Sequence, residues 1–319
     1  MVHEEFFPGS FMDQSTIPLA ISFGVFGIAL LFYRERFNRP SHPIGIPAYG
    51  ESVKNLKFPL IDRKYINSHI IRLRFSLGAN RILGLPIGRH LGIVAVVPNP
   101  LDSASTKTLT RFYTPVSSDF TDVGYFDLII KVYRKNEHPD FPEGGWMSQY
   151  LESVPIGTEL VFRGPCGRIE YRENGDFALG KEKRHFRNVG MIAGGTGITP
   201  MYQLIHHVLE TRATSNKLHL SLVYGNRNPG DIILREELAS LARTHQAPKF
   251  RLSLTVDNKG DESDWSGFTG FVSESMIVSS LPAPSNDTLV LLCGPPPMMR
   301  SVEKTLLELG HQKRNIHMF

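Results

Sequence analysis

Three short segments hold the residues of this 319-residue chain best suited to chemistry. Gly190-Met191-Ile192-Ala193-Gly194-Gly195-Thr196-Gly197-Ile198-Thr199-Pro200 reads as a buried strand that breaks into a glycine-rich turn and then a helix. Leu292-Cys293-Gly294-Pro295-Pro296-Pro297-Met298-Met299 reads as a second strand end meeting a second turn. Two such turns at one edge of a parallel sheet form a cradle for a dinucleotide, because backbone N–H groups and a helix N-terminus face the phosphates. Upstream lies Arg111-Phe112-Tyr113-Thr114-Pro115-Val116-Ser117. Its arginine suits a phosphate, its tyrosine a stacked ring, and its threonine a hydrogen bond to a flavin. Together the segments predict a flavoenzyme that takes hydride from a nicotinamide.

Positioning these residues requires two kinds of scaffold. From about Phe58 the apolar pattern has period two, as in Ile70-Ile71-Arg72-Leu73-Arg74-Phe75, which signals strands. Gly92–Val97, Tyr125–Tyr133 and Glu159–Arg163 read the same way, separated by Gly, Pro, Asn and Asp clusters. Short strands at this spacing predict an antiparallel β-barrel. One helical segment, Met147–Val154, follows Gly144-Gly145-Trp146, where a phosphate would meet free helix donors. A polar link is expected at Gly180-Lys181-Glu182-Lys183-Arg184. Beyond it strands at 188–193, 218–224, 250–256 and 289–292 alternate with helices at 201–211, 233–243, 274–280 and 298–310. That alternation predicts an α/β doubly wound parallel sheet.

The N-terminus has another character. No charged residue occurs from Gln14 to Tyr33, whereas Arg34, Arg36 and Arg39 follow. About 20 apolar residues span a bilayer, and flanking basic residues mark the cytosolic side. A transmembrane anchor is therefore expected over 17–36, after a short segment 1–16, with the body in the cytosol. A cleaved signal peptide is the competing reading, but the acidic start and the Phe32-Tyr33-Arg34 exit oppose it. Pro40, Pro43, Gly45, Pro47 and Gly50 mark a linker over 37–55. The net charge of +4 favours an anionic surface or an acidic partner protein, and no long basic run points to nucleic acid. Two cysteines, Cys166 and Cys293, exclude zinc-type and iron–sulfur spacings. Electrons would leave directly from a flavin.

Taken in order, Arg111–Ser117, Gly144-Gly145-Trp146-Met147-Ser148, the 190–200 turn and Cys293–Met298 resemble the motifs of NADH–cytochrome b5 reductases, members of the ferredoxin-reductase-like flavoenzymes. Ile61–Lys64, Leu83–Gly88 and Gly164–Gly167 match as well, so the resemblance covers roughly 56–319. It implies an FAD-binding barrel over 56–178 and an NAD domain over 188–319. NADH would reduce FAD, and FAD would pass single electrons to cytochrome b5 or a similar acidic haem protein. The resemblance also places Arg111 on the FAD pyrophosphate, Phe112 and Tyr113 along the flavin strip, and Thr114 on the reactive ring nitrogen. Ile129, Lys131 and Tyr133 would line the cofactor, Gly145, Met147 and Ser148 would hold phosphate, and Thr199 would close over the flavin edge.

In the NAD domain the same resemblance gives Gly194, Gly195, Thr196, Gly197, Gly294, Pro295, Pro296 and Met298 to the nucleotide. Cys293 would orient the nicotinamide without acting as a nucleophile, and Asp257 would favour NADH by repelling a 2′-phosphate. Taken singly, these residues have plainer readings: a solvated strand arginine, a β-branched strand former, a buried strand thiol, a polar strand end. Two departures stand out. The family commonly has Pro at the position of Phe112, a harmless change on a strand, and Lys at that of Trp146, a lost cation that bears on partner affinity and not on FAD binding. The stretch Asn99–Thr108 is longer than usual and has no assignment. No metal site is expected, since His206 and His207 are adjacent and point to different helix faces. The membrane would be endoplasmic reticulum or mitochondrial outer membrane. A quinone or another haem protein is the alternative acceptor, and a non-enzymatic membrane scaffold the remaining alternative.

Overall fold

The computed structural model describes residues 42–43, 54–99, 102–137, 139, 141–210 and 217–319. The expected anchor over 17–36 lies outside the described residues, and none of the helices among them is long and apolar enough to cross a membrane.

Six antiparallel strands build the first sheet: β1 (Lys54–Tyr65), β2 (Ile70–Ser76), β3 (His90–Asn99), β4 (Asp102–Tyr113), β5 (Tyr125–Lys131) and β6 (Glu159–Cys166). Their order is β4-β3-β6-β1-β2-β5. In β2 the alternation sends Ile71, Leu73 and Phe75 fully inside. On the other face Arg74 pairs with Asp127 through two 2.8 Å hydrogen bonds. The interior is aromatic: the rings of Phe58, Phe75, Phe126 and Phe162 stand 4.9–5.4 Å apart, mostly edge to face. The edge beyond β4 closes onto β5, where Val116 N–H donates to Asp127 O at 3.0 Å. The Thr114–Ser117 motif therefore runs along the barrel seam. The stretch left unassigned by sequence belongs to the long β3–β4 hairpin, which pairs Asn99 with Asp102 at its far end. Helix α1 (Trp146–Ser153) buries Met147 and Leu151 in the barrel core.

Three short antiparallel strands follow: β7 (Ile169–Tyr171), β8 (Asp176–Leu179) and β9 (Glu182–His185). The polar link expected at 180–184 is thus corrected. Gly180, at φ +67°, turns the chain and β9 pairs with β8. Strand β9 carried no apolar signal because its side chains are largely exposed on both faces.

The second large sheet is parallel throughout and runs β13-β12-β11-β10-β14-β15. Its strands are β10 (Asn188–Gly194), β11 (His219–Asn226), β12 (Phe250–Val256), β13 (Phe268–Thr269), β14 (Thr288–Cys293) and β15 (Ile316–Met318). Between them lie α2 (Ile198–Glu210), α3 (Arg235–Thr244), α4 (Glu274–Ser280) and α5 (Pro296–Glu308). One face packs against α2 and α3 through Met201, Ile205 and Leu238. The other packs against α4 and α5 through Ile277, Val302 and Leu306. The predicted double winding is present. The chain leaves the central strand β10 in one direction and returns to β14 on its other side, so the order reverses between β10 and β14. Open α/β sheets bind ligands at such a switch point.

Candidate functional site

The two glycine-rich turns meet at the switch point. Gly194 ends β10, and Gly195–Gly197 forms a single 3-10 turn into α2. A Cβ on Gly197 would fall 2.2 Å from Cys293 O, and one on Gly194 would fall 2.7 Å from Met298 Sδ. A Cβ on Gly294 would sit 3.1 Å from Gly194 N. Side chains are excluded here because the turns touch each other. Gly195 takes φ +53°, a left-handed value that glycine adopts without strain. Thr199, buried on α2, donates its hydroxyl to Thr196 O at 3.2 Å. In α5, Pro296 stands in the first turn, where its missing N–H costs no helix bond.

Tyr224 of β11 reaches under the turn and donates its hydroxyl to Gly195 O at 3.0 Å. Burial pushes the Tyr224 phenol well above its ordinary value, so it stays a donor. Nothing in the local sequence marked it, since a strand tyrosine is ordinary. Burial likewise pushes the Cys293 thiol up to about 11, which keeps it protonated and non-nucleophilic at neutral pH.

The flavin-type residues lie along β4, the seam and α1. Arg111 is exposed and donates to Thr110 O at 2.9 Å, which leaves its guanidinium at the surface. Phe112 is 59% exposed, opposite Gly92, with its ring edge-on to His90 at 5.2 Å. Tyr113 packs on the barrel core and Thr114 is buried at the seam. Lys131 ends β5, with its ammonium 6.0 Å from the Tyr133 ring centre. Ile129 is buried in the apolar cluster that continues from β5 into the parallel-sheet domain.

At the start of α1, Gly144 takes φ +65°, and a Cβ there would meet Tyr133 O at 2.5 Å. A Cβ on Gly145 would meet Ser148 Oγ at 2.6 Å. Ser148 is buried; its hydroxyl donates to Gly145 O at 2.9 Å and accepts from Tyr133 N–H at 3.1 Å. That hydroxyl fixes the turn instead of facing outward. The Met147 side chain is buried, so only backbone N–H groups of this first turn are offered to a ligand. Beside them, Lys107 of β4 brings its ammonium to 5.8 Å from the centre of the Trp146 ring.

Both strips converge on β5. The barrel seam is bonded to β5 through Val116, and β5 also packs on the Gly195–Gly197 turn. Gln203 of α2 accepts the Gly88 N–H at 2.8 Å and so ties the helix behind the turn to a barrel loop. At the far end of the cleft, Asp257 N–H donates to Asn226 O at 3.0 Å. Partial burial raises the Asp257 carboxyl above its usual value, and the Arg227 guanidinium opposes that rise. Arg227 also acts on Tyr133, so its charge spans barrel and sheet. No cluster of metal-binding side chains occurs among the described residues, and the His207 ring instead packs between Phe120 and Tyr171.

These features fit FAD and a nicotinamide dinucleotide: glycine cradles that a Cβ would fill, helix N-termini behind them, and a basic–aromatic strip leading to the cleft. Barrel and sheet together define an FAD- and NAD-binding oxidoreductase. Residues 57–171 match the oxidoreductase FAD-binding domain family, and residues 191–304 match the oxidoreductase NAD-binding domain family. The mouse protein named NADH-cytochrome b5 reductase 2 is 44% identical over 269 residues, which cover 82% of this chain and 93% of that protein. Its zebrafish counterpart is 39% identical over 320 residues, covering 96% and 99%. Among solved structures, the cytochrome b5 reductase domain of Ulva prolifera nitrate reductase superposes with a TM-score of 0.76 at 33% identity, covering 83% of this chain and 97% of that one. The chain belongs to the NADH–cytochrome b5 reductase family, and its cofactors are FAD and NADH.

Proposed function

We propose that this enzyme is anchored to a membrane and delivers electrons from NADH to cytochrome b5. The observation that carries the reading is the convergence on β5, which lets one strand serve the flavin strip and the nucleotide turn together. FAD, when bound, accepts hydride from NADH and gives up the electrons singly.

The residues bind and orient. Arg111 would pair with the FAD pyrophosphate, and the free N–H groups opening α1 at Trp146, Met147 and Ser148 would give it a second anchor, the Gly145 N–H being held by Tyr133 O. Tyr113, with Phe112 beside it on the strip, stacks against the flavin. Thr114 presents a buried hydroxyl that can donate or accept, so it would suit a flavin ring nitrogen in either protonation state. Ile129 and Lys131 of β5, with Tyr133 two residues beyond it, would wall the cofactor. Gly194, Gly195, Thr196, Gly197 and Thr199 admit the dinucleotide to the N-terminus of α2. Gly294, Pro295, Pro296 and Met298 form the opposite lip, where the protonated thiol of Cys293 packs on the nicotinamide. Ring-to-ring positioning supplies the rate, since approach and orientation are settled in advance.

Trp146 favours a second reading, in which a quinone or another haem protein is the acceptor, because it replaces a cation with an aromatic surface. Lys107 over that ring argues for the first reading, since it returns a positive charge to the same place. The uncharged run from Gln14 to Tyr33 supports the anchor. An anaerobic titration decides the core of the proposal. NADH should bleach the flavin absorbance in one stoichiometric step, and added cytochrome b5 should restore it. Failure to bleach would overturn the activity; reoxidation by cytochrome b5 no faster than by a non-specific dye would favour the second acceptor. Loss of membrane pelleting on deletion of residues 1–53 is expected of the anchor.

A further inference from the structure

Two residues of the linker, His42 and Pro43, pair in parallel with Arg81 and Ile82 of the barrel domain. Arg36, where the expected anchor ends, is six residues before His42, at most about 20 Å of extended chain. A body of this length is roughly 45 Å across. The tether is thus less than half the width of the body, and an anchored chain must carry the Arg81 corner nearest the lipid.

Two joined loops build that corner. Gly124 N–H donates to Arg81 O at 2.7 Å, and Leu77 N–H donates to Gly124 O at 2.8 Å. The acids of the second loop are spent on internal donors. Asp119 accepts from the N–H groups of Leu83 and Gly84 at 3.0 and 2.8 Å. Asp122 accepts from Ser118 N–H at 2.8 Å and from the Tyr125 hydroxyl at 2.7 Å. Arg81 stays exposed. Apolar side chains around it are open as well: Phe120 in the second loop is 61% exposed, Ile156 54% and Ile61 45%. Gly157 N–H donates to Leu60 O, and Leu60 pairs with Phe75 of β2, two residues before Leu77, so both isoleucines belong to the same end of the barrel.

A guanidinium set among open apolar side chains matches a lipid headgroup layer, which offers phosphate to the cation and a hydrocarbon boundary beneath it. We propose that this corner rests on the anionic surface of the membrane that holds the anchor, with Arg81 on lipid phosphate and Phe120, Ile61 and Ile156 entering the boundary. The contact presupposes the anchor proposed above and adds which face of the body meets the lipid.

The test follows hydrogen exchange of the full-length protein in detergent, in phosphatidylcholine vesicles and in vesicles that also contain phosphatidylserine. Amides of 77–82 and 118–124 should exchange at least about threefold more slowly in the phosphatidylserine vesicles than in detergent, and less slowly without the anionic lipid. The exposed turn 258–264 should not change. Arg81→Glu combined with Ile156→Asp should still float with the vesicles and keep its flavin absorbance, since both side chains are exposed, but lose the protection. Equal exchange in vesicles and detergent would overturn the contact, as would protection that survives in the double variant. Protection that appears without vesicles and grows with protein concentration would mean a second copy covers the corner, and would overturn it too. A wild-type chain that does not float with vesicles would sink the anchor itself, and this surface with it.

Discussion

At Asp257 a single charge is expected to decide between NADH and NADPH. Its carboxylate stands at the far end of the cleft with the Arg227 guanidinium acting on it. A 2′-phosphate brought there meets like charge from Asp257 and opposite charge from Arg227. Removing the acid leaves the cation unopposed. Asp257→Ala should therefore lower the NADH-to-NADPH ratio of kcat/KM by about tenfold or more, the order of one lost electrostatic discrimination. An unchanged ratio would remove Asp257 from specificity. What was legible in the sequence is the placement of such residues at strand ends: Cys293 at the end of β14, Gly194 at the end of β10, Asp257 just past β12. Tyr224 was not legible. A tyrosine hydroxyl on Gly195 O is a property of neighbours brought from different strands.

Elements fix these residues by leaving them no room. The loop after β14 and the turn after β10 touch so closely that a Cβ on Gly197 would collide with Cys293 O, a backbone atom that cannot rotate away. Gly197→Ala should raise KM for NADH at least about tenfold and lower Tm, because the two lips must part. Retained KM would mean the turns are slack. A second prediction concerns α2, which carries the turn. Gln203→Leu leaves the Gly88 N–H buried and unpaired, at a cost of about 1–3 kcal/mol. Urea unfolding should register that loss, and a change smaller than about 0.5 kcal/mol would mean water replaces the bond. At this scale part of the structure was legible in the sequence. The order of parallel strands and helices could be read from their alternation. Helix starts moved by a few residues: proline is tolerated in the first turns of α2 and α5, and Leu234 at φ 58° delays α3 to Arg235. Strand β9 was hidden because it buries almost nothing, and the far end of the β3–β4 hairpin because Asp102–Thr108 is polar or small.

At the scale of the molecule, charge and protonation set the conditions for work. With a net charge of +4, electrons passed to an acidic haem partner should slow as ionic strength rises, since screening removes the steering. A flat salt profile with cytochrome b5 would count against charge-guided docking. Protonation acts on the fold itself. His90, His206, His207, His311 and His317 all have their pKa lowered, chiefly by burial. Unfolded, these rings take up protons as pH falls through about 6.5; folded, they resist until lower pH. The unfolded chain therefore binds more protons in that window, and stability present at pH 7.5 drains away as pH falls toward 5.5. Asp119 and Asp257 are raised and work in the opposite sense, but from a starting value of 3.8, below most of this range. His207 is the most informative of the five, because its ring packs between Phe120 of the barrel and Tyr171 of β7. Charging it would put a cation into that aromatic joint. Tm by circular dichroism should fall by several degrees between pH 7.5 and 5.5, and His207→Phe, which keeps a ring but cannot protonate, should flatten part of the decline. A wild-type Tm that holds steady across the interval would mean folded and unfolded chains bind protons equally there, and one that rises would mean the linkage is wrong in sign.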